Sequence, residues 1–109
     1  MIEVNEYVRT KNGVIDKVDA LYGMIENTVH LENQKWFDIK DITKHSKQLI
    51  DLIEAGDYVN GIRILDITGD YVLTAEYNCC KQRLNNKIKT ILTKEQMMAN
   101  CYKVGGEDE

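Results

Sequence analysis

Short apolar runs of period two fill most of the chain, and glycine and asparagine punctuate them because proline is absent. "EYVRT" (6–10) and "VIDKVDA" (14–20) read as two strands joined across Lys11-Asn12-Gly13. Asn-Gly is the strongest short hairpin signal, because both residues tolerate the positive φ that a type I′ turn requires. "NTVHLEN" (27–33), with Val29 and Leu31 alternating against polar neighbours, predicts a third strand. The β-branched and aromatic content of "KWFDIKDI" (35–42) predicts a fourth. The period then changes. Leu49, Ile50 and Ile53 share a helical face, which predicts two or three turns at most, α or 3₁₀, with Thr43 as the cap.

The second half repeats that order. "DYV" and "IRILDIT" flank Asn60-Gly61, and "DYVLTAEYN" (70–78) reads as a strand entered through Thr68-Gly69-Asp70. A polar loop at Lys81–Lys87 leads to a strand "KIKTIL" (87–92). In "TKEQMMANC" (93–101), Thr93 and Gln96 have capping-box spacing, with Met97, Met98 and Cys101 as the apolar face. "YKV" (102–104) is a candidate closing strand. Apolar residues on both faces of "IRIL" suggest packing on two sides, against the partner unit or in an oligomer contact.

The correspondence extends to residues. Tyr7-Val8 matches Tyr58-Val59, Asn12-Gly13 matches Asn60-Gly61, and "IKDITK" (39–44) matches "IKTILTK" (88–94) with one insertion. Self-similarity at a fixed interval indicates two copies of one unit of about 50 residues. Four short strands, a helical turn and a closing strand is the order of an SH3-like barrel. The expected fold is therefore mainly β with short helices: two tandem SH3-like barrels packed together, residues 1–53 and 54–104, followed by an acidic disordered tail, 105–109. One merged α+β domain is the alternative.

Charge narrows the function classes. The net charge is −4, which argues against general binding to nucleic acid or an anionic membrane. The halves carry equal charge, with 7 bases and 9 acids up to Ile53 and the same numbers after it. Locally, "KQRLNNKIKTILTK" (81–94) holds five bases and no acid. "MIEVNEYVRT" lacks the basic and apolar regions of a secretory signal, so the expected location is the cytoplasm of whatever cell makes the protein. Cys79, Cys80 and Cys101 are an odd set without C-x-x-C spacing, and His30 and His45 stand at no ligand interval. Free thiols, with no metal and no cofactor, are the expectation.

No catalytic motif is present. Asp38 with Asp41, and Asp16 with Asp19, are separated by odd intervals that place strand residues on opposite faces. A nucleophilic Cys79 or Cys80 would depend on Lys81 and Arg83 to lower its pKa, with no histidine nearby. His30 and His45 read as surface residues. The aromatics are more informative. Of Trp36 and Phe37 one should point inward and the other outward, and an outward Trp36 suits an interface. Tyr71 and Tyr77, an even interval apart, would share a strand face and, with Lys87 or Lys89, offer a stacking platform. The candidate partner-binding residues are thus Trp36, Tyr71, Tyr77, Lys81, Arg83, Lys87 and Lys89.

"LIDLIEAGDYVNGIRILDI" and "ILTKEQMMANCYKVGGE" resemble small proteins encoded by phages and prophages of Gram-positive bacteria. The likeness covers residues 49–67 and 91–107, and "EYVRTKNG" more loosely, while Asn78–Asn86 has no counterpart. Those proteins are mostly of unassigned function, so the resemblance implies an accessory phage protein and transfers no catalytic residue. The expectation is a non-enzymatic protein that binds a host protein, most plausibly a CRISPR effector or other defence nuclease, in the manner of an anti-CRISPR inhibitor. A small nucleic-acid-binding module using residues 81–94 is the alternative, and an enzyme relying on Cys79 or Cys80 ranks third.

Overall fold

A computed structural model describes residues 2–22, 28–33 and 35–101. The protein is mainly β, with two five-stranded antiparallel sheets and two short helices. Strands β1 (Tyr7–Thr10), β2 (Ile15–Tyr22), β3 (Thr28–Leu31), β4 (Trp36–Asp38) and β5 (Ile42–Ser46) form the first sheet, in the order β4-β3-β2-β1-β5. Strands β6 (Tyr58–Val59), β7 (Ile62–Thr68), β8 (Tyr71–Thr74), β9 (Asn78–Cys80) and β10 (Ile91–Leu92) form the second, in the order β10-β6-β7-β8-β9. Taken in chain order the two arrangements coincide: three hairpins in succession, then a fifth strand returning to pair with the first. Both second strands also carry a register irregularity against their third, at Val18/Ala20 and at Ile64/Asp66.

The equivalence reaches individual hydrogen bonds. In the turn Glu3–Glu6 the Glu6 N–H donates to the Glu3 carbonyl at 3.1 Å, and in Glu54–Asp57 the Asp57 N–H donates to the Glu54 carbonyl at 3.1 Å. The third residue of each has positive φ, 76° at Asn5 and 98° at Gly56, as a type II turn requires. The closing carboxylate of each accepts from the first residue's N–H, Glu6 from Glu3 and Asp57 from Glu54.

Two small cores lie behind the sheets. Val8, Val18, Val29 and Leu31 form one, with Phe37 and Ile42 against it. Ile50, Ile53, Val59, Ile64, Val72 and Leu84 form the other. Ile50 and Ile53, from the 3₁₀ turn Leu49–Leu52 and its cap, thus pack in the second core although they precede residue 54. Ile15 of β2 also packs there, so the two cores share a seam.

Several sequence expectations need correction. Thr43 does not cap a helix; it lies in β5, where its hydroxyl donates to the Arg9 carbonyl at 3.1 Å. Lys81–Lys87 is not a loop throughout: Lys81–Asn85 forms helix α1, held by the buried Leu84. Only Ile91–Leu92 of "KIKTIL" pairs as a strand. Residues 70–78 do not form one strand, because Thr74 turns the chain. The Thr74 hydroxyl donates to the Tyr77 carbonyl at 2.7 Å and accepts from the N–H groups of Glu76 and Tyr77. Tyr71 and Tyr77 therefore sit at opposite ends of the β8–β9 hairpin.

The two Asn-Gly steps also differ. Asn60 and Gly61 both have positive φ (54° and 81°) in a two-residue loop between the paired Val59 and Ile62, which is the type I′ geometry. At Asn12-Gly13 only Gly13 has positive φ, in a three-residue loop closed by the Thr10–Val14 bond. Asn60 has a further use. Its side chain donates to the Lys87 carbonyl and accepts from the N–H groups of Lys89 and Thr90, laying β10 beside β6. The match of "IKDITK" to "IKTILTK" is not the one the sheets make, since Val8 faces His45 while Val59 faces Ile91.

Helix α2 (Lys94–Asn100) starts with the expected capping box of Thr93 and Gln96. Its expected apolar face does not form, because Met98 and Cys101 are exposed and the half-buried side carries Glu95, Gln96 and Met97. Leu65, at the β7 irregularity, is exposed as well, so β7 is not covered on both faces. The possible strand at 102–104 and the tail at 105–109 lie outside the described residues.

Candidate functional site

The most enclosed polar centre joins the two sheets, and it contains none of the seven candidate partner-binding residues. Val8 enters the first core, so Arg9 on β1 faces the other way, toward the second half. Its guanidinium is 1% exposed and meets a fully buried Asp57 just ahead of β6. The pair is bidentate at 2.6 and 3.0 Å. Arg9 also donates to the Leu52 carbonyl at 2.9 Å and to Glu95 Oε1 of α2 at 2.6 Å. Asp57 accepts two further bonds, from the N–H groups of Glu54 (2.7 Å) and Lys94 (3.0 Å).

Glu54 extends the cluster, bonding Lys94 Nζ at 2.8 Å and Lys44 Nζ at 3.2 Å. Three cations and three carboxylates thus balance. Burial works against the Arg9 charge, but the Asp57 hydrogen bonds outweigh it and hold the guanidinium above its ordinary range. Burial likewise opposes ionisation of Glu54, and the Lys94 and Lys44 bonds overcome it, leaving its carboxyl below the usual range. Lys94 is raised, chiefly by its bond to Glu54. Among the described residues no buried side-chain polar atom lacks a partner. Its charged groups bond to one another and to backbone groups, an arrangement that ties the two sheets together.

Thr93 and Gly13 complete the seam. The Thr93 hydroxyl donates to the Gly13 carbonyl at 2.8 Å, and a Cβ on Gly13 would land on that hydroxyl.

The seven candidate residues fall in separate places. Trp36 points outward, 53% exposed, with Phe37 inward against the first core. The Trp36 ring lies 4.5 Å from the His30 ring, and His30 Nδ1 meets Asp19 Oδ1 at 2.5 Å. Both histidines lie on strands, His30 half-buried and His45 exposed at the surface as expected, where His45 pairs with Glu6 at 2.8 Å. Glu6 sits below the usual carboxylate range; burial opposes its ionisation, and the Glu3 N–H and His45 prevail.

Tyr71 stands on the outer face of the second sheet beside Leu73. Lys81 borders a cleft with Asp51, Glu54 and Asp66, an acidic neighbourhood. Lys89 lines another of about 300 Å³ at the seam, with Tyr7, Asp16 and Gln96. Tyr77, Arg83 and Lys87 share a cleft of about 380 Å³ between the β8–β9 turn and α1.

Among the described residues no three His, Cys, Asp or Glu side chains converge as a metal site. No helix among them is long and apolar enough to cross a membrane. Comparisons with protein-family models, with curated proteins and with solved structures find no match.

Proposed function

We propose that the chain is a non-enzymatic, phage-type binding protein of two SH3-like units, which docks on a host defence nuclease, a CRISPR effector in the first place, and blocks it. The observation that carries this reading is the outer face of the second sheet. Tyr71 and Leu73, two apart on β8, project from it, and Leu65 stands out at the adjoining β7 irregularity, at 65%, 43% and 44% exposure. Exposed Asp66, Asp70 and Glu76 lie on the adjoining strands and turns, with exposed Arg63 two residues before Leu65. An aromatic and aliphatic centre with a mainly acidic polar margin is the layout of an interface anchor. It complements a partner with an apolar patch among cations, such as a nuclease surface that holds nucleic acid. The coincident strand orders support the two-unit description, and the phage-type segments 49–67 and 91–107 support the host context.

The test is binding to purified CRISPR effector complexes and other defence nucleases, with cleavage assayed in parallel. Wild-type protein is expected to bind and inhibit, and Tyr71→Ala/Leu73→Glu to lose at least tenfold in affinity. Absence of any nuclease partner at micromolar concentration, or equal binding by the variant, overturns the proposal.

A further inference from the structure

The Tyr77–Arg83–Lys87 cleft has the composition of a ligand site distinct from the Tyr71 face. We infer that it takes a nucleoside phosphate, the base stacked on Tyr77 and the phosphate held by Arg83 and Lys87. Leu84 and Cys79 supply an apolar floor, Asn78 adds an amide, and no acid lines the cleft. Its volume, about 380 Å³, lies within the range of small-ligand pockets.

Among the described residues Arg83 and Lys87, like Lys17, Lys35, Arg63, Lys81 and Lys89, make no ion pair, whereas Arg9, Lys11, Lys40, Lys44, Lys47 and Lys94 each have a carboxylate partner. What sets Arg83 and Lys87 apart is that they line one cleft together with an aromatic ring and no acid. Two cations left without counter-ions at one concave place, next to an aromatic ring, match a phosphate joined to a base.

The frame is also fixed before any ligand arrives. Three hydrogen bonds to Thr74 position the Tyr77 backbone. Buried Leu84 anchors α1, and the Asn85 side chain accepts the Ile50 N–H at 3.0 Å. Lys87 is held from both sides, its N–H on the Leu84 carbonyl and its carbonyl on the Asn60 amide. A backbone frame held in this way loses less freedom on binding.

The phosphate could belong to a free nucleotide or to a single-stranded nucleic acid, and titration separates the two. The ¹⁵N-labelled full chain is titrated by NMR with uridine monophosphate, with a uridine octanucleotide and with inorganic phosphate. Shifts at Cys79, Leu84 and Lys87 are expected in the nucleotide arms. Equal affinity for the monophosphate and the octamer assigns a free nucleotide; tenfold tighter octamer binding assigns a strand. Two phosphate contacts predict about a sevenfold affinity loss for the octamer between 50 and 200 mM salt. Arg83→Glu/Lys87→Glu is expected to abolish binding, and Tyr77→Leu to weaken nucleotide tenfold while sparing phosphate. Lys35→Glu, on the first half, should change nothing. No shift at 1 mM of any nucleotide probe, or binding untouched by the charge reversal in a folded variant, overturns the inference. So does response only to a phosphoserine peptide run alongside.

Discussion

Removing Asp57 should damage the protein more than removing Arg9, although the two form one pair. Arg9→Met leaves the Asp57 carboxylate its two backbone donors, Glu54 N–H and Lys94 N–H. Breaking a buried pair costs about 3–5 kcal/mol, and the surviving donors place this variant near the lower end, about 3 kcal/mol. Asp57→Ala strips Arg9 of two charge-assisted bonds and leaves both N–H groups unpaired, while Glu95 and the Leu52 carbonyl still hold the guanidinium. Each stranded donor adds about 1 kcal/mol or more, for a total of about 5 kcal/mol. That is comparable to the whole stability of a small domain. The assay is urea unfolding followed by far-UV circular dichroism and by Trp36 fluorescence, which reports on the first sheet. Because Arg9 loses its bidentate partner once Asp57 is gone, Arg9→Met/Asp57→Ala should be no less stable than Asp57→Ala alone. If the single costs add within about 0.5 kcal/mol, the two residues are not coupled as described. An Asp57→Ala loss under about 1 kcal/mol would equally refute the reasoning.

Two further outcomes follow from the same seam. Gly13 and Gly61 share a positive φ, 83° and 81°, but a Cβ on Gly61 meets nothing within 4 Å, while one on Gly13 falls on Thr93 Oγ1 and 2.8 Å from Glu95 Cβ. Gly61→Ala should therefore cost about 1 kcal/mol for the left-handed backbone alone, and Gly13→Ala at least about 2 kcal/mol more through overpacking; equal urea midpoints for the two would sink the seam contact. Glu54, lowered from its ordinary value of 4.5, contributes in full above that pH, and its share is lost as the pH falls through the lowered folded value. Lys94, raised from 10.5, contributes in full below that pH and loses its share as the pH rises through the raised value. Urea midpoints at pH 3–5 and pH 10–12 should show both limbs, and Lys94→Met should flatten the alkaline one; an unchanged alkaline limb in that variant would contradict the pairing.

What the sequence disclosed depended on how local each cause was. Strands β1 to β3 and β6 to β8 were legible because alternating apolar residues and glycine or asparagine turns act within a few positions, whereas the strand expected over 35–42 stops at Asp38, whose side chain accepts the Lys40 N–H and starts the 3₁₀ turn Ile39–Asp41. The capping box at Thr93 was legible for the same reason. Strand β5 was not, because its Thr43-Lys44-His45 stretch offers no apolar alternation and it is held by backbone pairing with β1, over thirty positions earlier. Helix α1 escaped because Leu84 is its single buried residue, too little for a period. The Arg9–Asp57 pair left one usable trace: with Val8 inward, Arg9 had to lie on the opposite face of β1. Only the second half, 48 residues on, covers that face.

The same turn with different endings explains how two similar halves dock without being interchangeable. Glu6 and Asp57 close equivalent type II turns and accept the equivalent N–H, from Glu3 and from Glu54. Glu6 then turns its other bond to His45 within its own sheet, at 2.8 Å. The shorter Asp57 side chain stays in the seam and takes Arg9 from the other sheet. The position after the shared Tyr-Val differs correspondingly: Arg9 in the first half reaches across, whereas Asn60 in the second bends back to secure residues 87–90. One half thus supplies the cation and the other the buried carboxylate, so a docking of two first halves or two second halves would lack one partner. That asymmetry fixes a single relative placement of the sheets and leaves the β7–β8 face and the Tyr77 cleft turned outward.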